Sequence, residues 1–527
     1  MKNRNIFIKI NSKKVDIIEG HSYKNKEYYI FCNTELYDLN NKLIPLKKII
    51  TYYEDNIELA NIISDQFSII IYNIKENTLF FSQDINGDSV PIYYHINNNE
   101  IIISNRLVNI TTIKQFKINK DIVSTFIKKG FIPNKNTLVD GVFKIVPKSN
   151  LLIDLKSKKE QTQKKKLIYK KIKDKNNALY IKDFEKIVKD NEKNKKILTT
   201  LSSGYDSNFI FKFLTKDNLK AFTVGGVVGT DETKIVKYNL QKYSNVNLTT
   251  AYVSEKTLDR YPELVYELEG LLYERGIFLQ YVLVNKLKEN NSESTVLYAG
   301  EGADQIFSYE YYKKYYSLYN IIKYIGKLLK KSLLIDELNN IKTKGGIMHN
   351  KHAFDFISYI IIKKNGILLN KYGIEYCYPF LNRNIINYGY SNRYKNIFSK
   401  KSHIQACQKI IDKDVLKNVH KIGGSTDQNA LFGKCTYINE IEKLVNKSKY
   451  NILKIKDTKN HLQYYEYLLK VIYVELFEYL FIENYSTVYE KSQIDLLDFI
   501  LEKNNEYYKE PEYSNSVSDL EKPLDYS

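Results

Sequence analysis

The sequence predicts a β-rich first domain, followed by an α/β domain that is built on a parallel sheet and ends in a helical half. In the first 154 residues, short runs of β-branched and aromatic residues are separated by polar turns, which is typical of strands. From about residue 178, strand-like runs alternate with helical stretches, the pattern of a parallel sheet with crossover helices. Beyond residue 310 the pattern is mostly helical.

The composition is that of a folded, soluble protein. Of the 527 residues, 43% are hydrophobic and 27% charged, which disfavours both extensive disorder and a membrane-spanning bundle. The formal net charge of +19 is compatible with an anionic partner, but the lack of Trp and the abundance of Lys, Asn and Ile indicate an AT-rich codon bias. The charge alone therefore assigns no function.

Cysteine usage and the N-terminal residues indicate a cytoplasmic protein with reduced thiols and no membrane partner. The apolar run Ile6–Ile8 ends at Lys9, which is too short for a signal peptide, and no stretch reaches about 18 uncharged apolar residues. None of the cysteines forms a CxxC pair, so neither a disulfide framework nor a zinc site is predicted. They are Cys32, Cys377, Cys407 and Cys435.

The predicted first domain, residues 1–154, contains strands at Phe67–Tyr72, Thr78–Ser82 and Ile101–Ser104. Residues 155–177 contain ten lysines and few apolar residues, and we interpret them as an exposed connector. A nucleic-acid-binding role for this segment is the alternative, but its aromatic content is limited to Tyr169. Nucleic acid is therefore not an expected partner.

The second domain is predicted to span residues 178–501, and residues 502–527 to form a disordered tail. The run Tyr464–Ile482 is interrupted by four charged residues and predicts an amphipathic core helix. The predicted strands are Ile197–Leu201, Ala221–Val224, Leu248–Val253 and Thr295–Tyr298, and the predicted helices begin with Asn208–Leu214 and Thr230–Tyr243 and continue around Leu258–Leu287.

A turn rich in small residues follows the first of these strands. Ser202–Ser207, with the sequence SSGYDS, lies between a strand and a helix, where free backbone N–H groups can bind a phosphate. It lacks the lysine of a Walker loop. Taken alone, the motif is explained equally well by a tight turn that an Asp or Ser side chain caps.

A second polar turn, Ala299–Asp304, follows the strand Thr295–Tyr298. The carboxyl ends of parallel strands meet at one edge of the sheet, so Asp206 and Asp304 are expected to lie close together. Two carboxylates beside phosphates suit Mg²⁺. Two unrelated polar turns remain the alternative.

These motifs resemble those of the asparagine synthetase family, which are ATP pyrophosphatases. Ser202–Ser207 is similar to the family's SGGxDS, with Ser203 in place of the first glycine. Gly300–Asp304 is similar to SGEGADE, with Gln305 in place of the last acid. The resemblance continues in order through the acidic pair Asp231 and Glu232, through Glu375–Asn382, which is similar to VEVRVPFLD, and through Lys401.

The first domain also carries the resemblance. Asp65–Leu107 is similar to a segment of class II glutamine amidotransferase domains, which implies a four-layered αββα domain of the Ntn type. Glutaminases of this class use a cysteine that follows the initiator methionine, and Lys2 stands at that position here. We therefore expect no glutamine hydrolysis, and we expect Cys32 to be a buried core thiol.

Relatives without glutaminase activity include β-lactam synthetases, carbapenam synthetases and lasso-peptide cyclases. The run Lys421–Ser425 resembles a KxG and GS run of the two β-lactam-forming enzymes, which implies that Lys421 stabilises charge as the amide forms. Glu301, which asparagine synthetases also carry, is expected to orient the attacking amine or to act as a general base.

The resemblance implies an AMP-forming, ATP-dependent carbon–nitrogen ligase that adenylates a carboxylate. A peptide or natural-product cyclase is the favoured subtype and an ammonia-using asparagine synthetase the alternative. From other classes, a tRNA-modifying ATP pyrophosphatase and a catalytically silent binding protein stay open. The expected substrate is a carboxylate-bearing small molecule or precursor peptide, and a leader-peptide-binding protein or a protease is a candidate partner.

The site residues that the resemblance implies fall into three groups. The catalytic residues are Lys421 and Glu301, and the Mg²⁺ ligands are Asp206 and Asp304. The ATP-binding residues are Leu201, Ser202, Ser203, Gly204, Tyr205, Asp206, Ser207, Val224, Gly225, Gly300 and Lys401, with Val224 and Gly225 at the adenine.

Overall fold

The computed structural model describes most of the chain between residues 6 and 509. Within that range it leaves out residues 12–13, 20, 33–34, 39–41, 64–66, 85–89, 98–99, 148, 166–171, 174–176, 193–195, 215–218, 226–231, 244, 275, 289–294, 308–358, 361, 371, 373, 393–399, 420–434 and 453–460.

Two antiparallel sheets pack face to face in the first domain. The first has the strand order β11-β9-β10-β1-β2 and the second the order β13-β12-β8-β7-β4-β3, while β5 pairs with β6. Side chains alternate between the two faces of a strand, and Ile8 and Ile103 of the first sheet meet Ile70 and Phe81 of the second in a shared core. The strands are β1 (Phe7–Asn11), β2 (Lys14–Glu19), β3 (His21–Lys24), β4 (Tyr28–Cys32), β5 (Leu36–Tyr37), β6 (Leu43–Ile44), β7 (Ser68–Asn73), β8 (Thr78–Gln83), β9 (Tyr93–Ile96), β10 (Glu100–Ser104), β11 (Phe143–Lys144), β12 (Ser149–Asp154) and β13 (Glu160–Lys164).

Helices cover the outer face of each sheet. The helix α1 (Leu46–Glu54) packs on the second sheet in a cluster that includes Cys32, which is fully buried, as predicted. The helices α2 (Val108–Thr111) and α3 (Lys120–Lys129) join a cluster with Tyr93 and Ile102 of the first sheet. The order of layers is therefore helix, sheet, sheet, helix.

The strand β13 lies inside the segment that the sequence predicts to be an exposed connector. It pairs with β12 in antiparallel register, from Ser149 opposite Lys164 to Ile153 opposite Glu160. Its side chains are polar and mostly exposed because it is an edge strand. An edge strand without an apolar face shows no alternation in the sequence, so the pattern could not reveal it.

The second domain is built on a parallel sheet with the strand order β16-β15-β14-β17-β18. The four predicted strands are confirmed, and β18 is added at the edge; its four residues are too few to show a period. From β14 the chain adds β15 and β16 on one side, and then β17 and β18 on the other, so a topological switch point lies between β14 and β17. The strands are β14 (Lys196–Thr200), β15 (Leu219–Gly225), β16 (Val246–Tyr252), β17 (Thr295–Tyr298) and β18 (Ile374–Cys377).

Helices surround this sheet and form the C-terminal half of the domain. The predicted core helix is confirmed as α16 (His461–Glu478), which continues into a π-helical turn at Tyr479–Glu483 and is buried along most of its length. In the part of the chain that the structure describes, we find no helix with the length and apolarity needed to cross a bilayer. The last helix runs past residue 502, the predicted start of the tail, and residues 510–527 lie outside the described residues.

The helices of the second domain are α4 (Ala178–Asn191), α5 (Tyr205–Phe211), α6 (Thr233–Leu240), α7 (Glu255–Asp259), α8 (Tyr261–Leu268), α9 (Ile277–Lys288), α10 (Ala303–Phe307), α11 (Ile362–Asn370), α12 (Arg383–Ser391), α13 (Lys401–Ile410), α14 (Lys413–Lys417), α15 (Ile438–Lys447), α16 (His461–Glu478), α17 (Val488–Lys491) and α18 (Leu496–Lys509).

An ion pair between a partly buried arginine and a buried glutamate joins the two domains. Arg106 follows β10, and its Nε lies 2.6 Å from Oε1 of Glu269, which follows α8. The other oxygen of this carboxylate accepts the backbone N–H of Leu107 at 2.7 Å. Glu269 is buried, so its negative charge needs these donors. Both donors belong to the first domain, which therefore stabilises a buried charge of the second.

Candidate functional site

The turn after β14 is held by side chains of the helix that follows it. The hydroxyl of Ser207 accepts the backbone N–H of Ser202 at 3.0 Å and lies 2.9 Å from the Ser202 hydroxyl. The Asn208 amide donates to the carbonyls of Ser202 and Gly204 at 3.0 and 2.7 Å. These bonds fix the backbone of the turn before any ligand binds.

The turn already binds one anion that the protein itself supplies. Both the backbone N–H and the hydroxyl of Ser203 donate to Oε2 of Glu232 at 2.6 Å. Glu232 directly precedes α6. A carboxylate oxygen thus occupies a position where a phosphate oxygen would find the same donors.

Gly300 brings the turn after β17 against the turn after β14. A Cβ atom at Gly300 would lie 2.9 Å from both the Cβ of Asp206 and the backbone N of Ser207. Only glycine permits this approach. The close packing places the two acids of the predicted metal site on neighbouring turns at the switch point.

Asp206 and Asp304 converge on the ammonium group of Lys400. Lys400 Nζ lies 2.8 Å from Oδ2 of Asp206 and also contacts Oδ1 of Asp304; we call these three residues the Lys400 cluster. Burial alone would raise the pKa of Asp206, but the Lys400 ammonium and a hydrogen bond from His403 hold it well below its usual range. Burial likewise opposes the charge of Lys400, yet the two carboxylates raise its pKa.

His403 contacts Asp206 from the buried side. Its Nε2 lies 2.9 Å from Oδ1 of Asp206, and its Nδ1 lies 2.9 Å from the hydroxyl of Tyr180. His403 is fully buried, and this burial lowers the pKa of its imidazole.

The donor set fits Mg²⁺. The carboxylates of Asp206 and Asp304 both contact one positive charge, the Lys400 ammonium. In nucleotide sites, Mg²⁺ is commonly held in the same way, by one or two carboxylates together with substrate phosphates. Across the described parts of the chain, no group of three or more His, Cys, Asp or Glu side chains is placed to hold a metal ion. The protein would therefore supply two ligands, Asp206 and Asp304, and leave the others to phosphate and water.

A second group of charges surrounds Glu301. Lys364 of α11 lies 2.7 Å from Glu274 and 3.7 Å from Glu301; we call these three residues the Lys364 cluster. Glu301 also accepts the hydroxyl of Tyr376 at 2.9 Å and contacts the amide of Asn365. Burial by itself lowers the pKa of Lys364, but the two carboxylates outweigh it and raise that pKa.

The structure places most of the predicted residues at this edge of the sheet. Leu201, directly after β14, is buried, and Tyr205 at the start of α5 is partly buried. Val224 and Gly225 are the last two residues of β15, where Gly225 pairs with Tyr252 of β16. Lys401 differs, because its side chain is exposed at the start of α13, and the preceding residue, Lys400, points to the acids. Asp231 and the run Lys421–Ser425 lie outside the described residues.

Sequence reasoning missed Lys400 and His403 near Asp206, and Glu274, Lys364, Asn365 and Tyr376 near Glu301. Lys400 adopts a left-handed backbone, with φ of 48°, immediately before α13, and this conformation decides which of two consecutive lysines faces the site. The spacing of His403 three residues after Lys400, which places both on one face at a helix start, is the signal that could have found it.

The chain is similar to proteins of one family. The asparagine synthase family model matches residues 184–475, more than half of the chain. The chain is 24% identical over 344 residues to asparagine synthetase [glutamine-hydrolyzing] 1 of Bacillus subtilis, which covers 59% of this chain and 52% of that protein. It is 26% identical over 265 residues to putative asparagine synthetase [glutamine-hydrolyzing] 2 of Methanocaldococcus jannaschii, covering 46% and 48%.

The chain therefore spans about half the length of the curated relatives it matches. Among solved structures, it overlaps glutamine phosphoribosylpyrophosphate amidotransferase from B. subtilis with a TM-score of 0.21 and 8% identity, over 48% of this chain and 76% of that chain. On the strength of the matched residues, which contain both turns of the site, this chain belongs to the asparagine synthase family.

Proposed function

We propose that this protein is an ATP-dependent ligase that activates a carboxylate as its adenylate and couples it to an amine. One observation carries this proposal: Asp206 and Asp304, from the turns after β14 and β17, both contact the buried ammonium of Lys400. This ammonium lies beside the turn after β14, whose Ser203 donates to a carboxylate. Membership of the asparagine synthase family supports it.

In the first half-reaction, a carboxylate oxygen of the substrate attacks the α-phosphorus of ATP, and pyrophosphate leaves. Backbone N–H groups of Ser202–Ser207 would hold the pyrophosphate, with Val224 and Gly225 along the adenine. Mg²⁺ held by Asp206 and Asp304 would neutralise charge on the phosphate oxygens. Lys400 would then give up its place between the acids and turn toward the pyrophosphate.

In the second half-reaction, the amine nitrogen attacks the acyl carbon, the bond to AMP breaks, and the amine loses a proton. Glu301 is three residues from Asp304 and is fixed by Tyr376 and by Lys364, so it is placed to orient the amine or to take its proton. Lys421 would stabilise the negative charge that develops on the acyl oxygen and on the departing AMP.

Two classes of carboxylate substrate are compatible with this proposal. The names of the two relatives favour aspartate, with asparagine as the product. The likeness of Lys421–Ser425 to the β-lactam-forming enzymes favours a precursor peptide or another natural-product carboxylate, closed to a ring by its own amine. Both classes share the adenylation step, and the layer order of the first domain supports an Ntn-type interpretation in either case.

The test is ATP–pyrophosphate exchange with aspartate and with candidate peptide carboxylates. Asp206→Asn and Asp304→Asn each remove one negative charge without changing the shape, and we expect exchange to fall by on the order of 10²-fold. Asp414→Asn is the matched control, because that acid pairs with Lys242 on the exposed surface of the same domain. Exchange that persists in both site variants would place the nucleotide elsewhere and contradict the proposal.

A further inference from the structure

We propose that His403 is a positioning residue that fixes the carboxylate of Asp206 for Mg²⁺ and nucleotide, and that Tyr180 fixes the tautomer of His403. This inference rests on the proposed function, because it concerns the same acid. It adds a chain of hydrogen bonds that runs from the buried core to the site.

The two oxygens of the Asp206 carboxylate have different partners. Lys400 Nζ lies 2.8 Å from Oδ2, and His403 Nε2 lies 2.9 Å from Oδ1. Lys400 would leave when Mg²⁺ binds, but His403 is anchored in α13 and would stay. The imidazole therefore keeps the plane of the carboxylate fixed while its other oxygen changes partner from an ammonium to a metal ion.

The hydrogen bonds assign one tautomer. An ionised carboxylate can only accept, so Nε2 of His403 carries a hydrogen and donates it to Asp206. Nδ1 then accepts the hydrogen of the Tyr180 hydroxyl at 2.9 Å. Without that hydroxyl the two tautomers would compete, and one of them would turn a lone pair toward Asp206.

Aromatic rings enclose the imidazole and keep it in place. Phe209, Phe307 and Phe380 lie with ring centroids 5.1 to 5.3 Å from that of His403. A histidine that only filled this core would need no fixed hydrogen-bond partner on either nitrogen. Both nitrogens are used, and the chain of bonds ends on the acid at the switch point.

Two stacked tyrosines offer a matched pair of variants. Tyr180 and Tyr388 stack with centroids 4.5 Å apart, but the Tyr388 hydroxyl donates to Asn177 and not to His403. Tyr180→Phe and Tyr388→Phe therefore remove the same atom from the same aromatic cluster. Only the first change breaks the chain to Asp206.

The experiment measures ATP binding by titration calorimetry at several MgCl₂ concentrations, with Asp206→Asn as the reference for loss of the site. We expect His403→Leu to raise the Mg²⁺ concentration needed for half-maximal ATP binding by about 10- to 100-fold. His403→Gln, whose amide can still donate to Asp206, should recover most of that loss. Tyr180→Phe should cost roughly 2- to 10-fold and Tyr388→Phe less than about 2-fold.

Each result decides the matter. If Asp206→Asn weakens ATP binding but Tyr180→Phe behaves like Tyr388→Phe, the positioning role is wrong and the proposed function stands. If Asp206→Asn leaves Mg²⁺-dependent binding intact, the nucleotide site lies elsewhere and both fail. Should His403→Leu not fold, the two tyrosine variants still decide, because each keeps the ring that packs in the core.

Discussion

The Lys400 cluster and the Lys364 cluster share one arrangement of charge and differ in how the fold builds it. In each, a buried ammonium lies between two carboxylates. Both acids of the Lys400 cluster come from turns at the carboxyl ends of two adjacent parallel strands, β14 and β17. In the Lys364 cluster, only Glu301 comes from such a turn, the one after β17; Glu274 lies in the segment between α8 and α9, and the ammonium comes from the helix α11.

The comparison indicates a division of labour. Burial disfavours an ammonium charge, and in these two clusters a pair of acids offsets that cost and holds the ammonium at a fixed point. The sheet edge fixes the first point against the anion-binding turn, which suits phosphate and metal. The second point lies beside Glu301 and the hydroxyl of Tyr376, which suits an amine. The two clusters are thus expected to serve different half-reactions.

The largest expected effect separates the two half-reactions. Asp304→Asn should lower both ATP–pyrophosphate exchange and amide formation by on the order of 10²-fold, because it removes charge from the proposed metal site. Glu301→Gln keeps an oxygen for Tyr376 and removes only the charge, so exchange should survive while amide formation falls on the order of 10²-fold. Glu185→Gln, in an exposed pair with Lys189, is the control. If both variants lost exchange equally, the two clusters would not serve different half-reactions, and the prediction would be wrong.

Lys421 provides an independent test of the second half-reaction. Lys421→Met should lower amide formation on the order of 10²-fold while adenylate formation continues, because an electrostatic donor to the departing group is lost. Lys409→Met, on the exposed side of α13, should change neither step. Full amide synthesis by Lys421→Met would leave Glu301 as the better candidate for the catalytic role.

Removing the lysine from the Lys364 cluster should affect stability. Lys364→Met leaves Glu274 and Glu301 facing each other without a cation, and we expect the free energy of unfolding to fall by about 3–5 kcal/mol. Adding Glu274→Gln should recover part of that loss, since one of the two like charges is gone. Urea unfolding measures both, with the exposed Lys189→Met as control. If the double variant were no more stable than Lys364→Met alone, repulsion between Glu274 and Glu301 would contribute little to the loss of stability.

How much of this could be predicted differs along the chain. The turns Ser202–Ser207 and Gly300–Asp304 were predictable because each follows a strand, and parallel strand ends must meet. The role of Lys400 could not be predicted, because its own left-handed backbone conformation, just before α13, determines the direction of its side chain. The donors to Glu301 come from α11 and β18, which are remote in the sequence, and only the fold brings them together.

Lys144 completes the comparison as a buried lysine bound by carbonyls. Its ammonium donates to the carbonyls of Ile132, Asn134 and Asn136 at 2.7 to 2.9 Å. Burial, together with repulsion from the Lys363 ammonium, lowers the pKa of Lys144 to about 7. The two acids of the Lys364 cluster have the opposite effect on their lysine, whose pKa is raised.

The difference predicts a pH dependence of stability. Between about pH 7 and the unfolded-state pKa near 10.4, the folded protein has lost the Lys144 proton while the unfolded chain keeps it. The unfolded state then binds more protons, so the free energy of unfolding should rise with pH by up to about 1.4 kcal/mol per unit. Below about pH 7 this contribution is flat. The measurement is urea unfolding of the unchanged protein and of Lys144→Met at pH 6, 7, 8 and 9. The Lys144 contribution is the difference between the two proteins in the slope of the free energy of unfolding against pH. Parallel slopes above pH 7 would contradict this prediction, because they would mean that the folded protein keeps the Lys144 proton up to pH 9 and that the three carbonyls offset its burial.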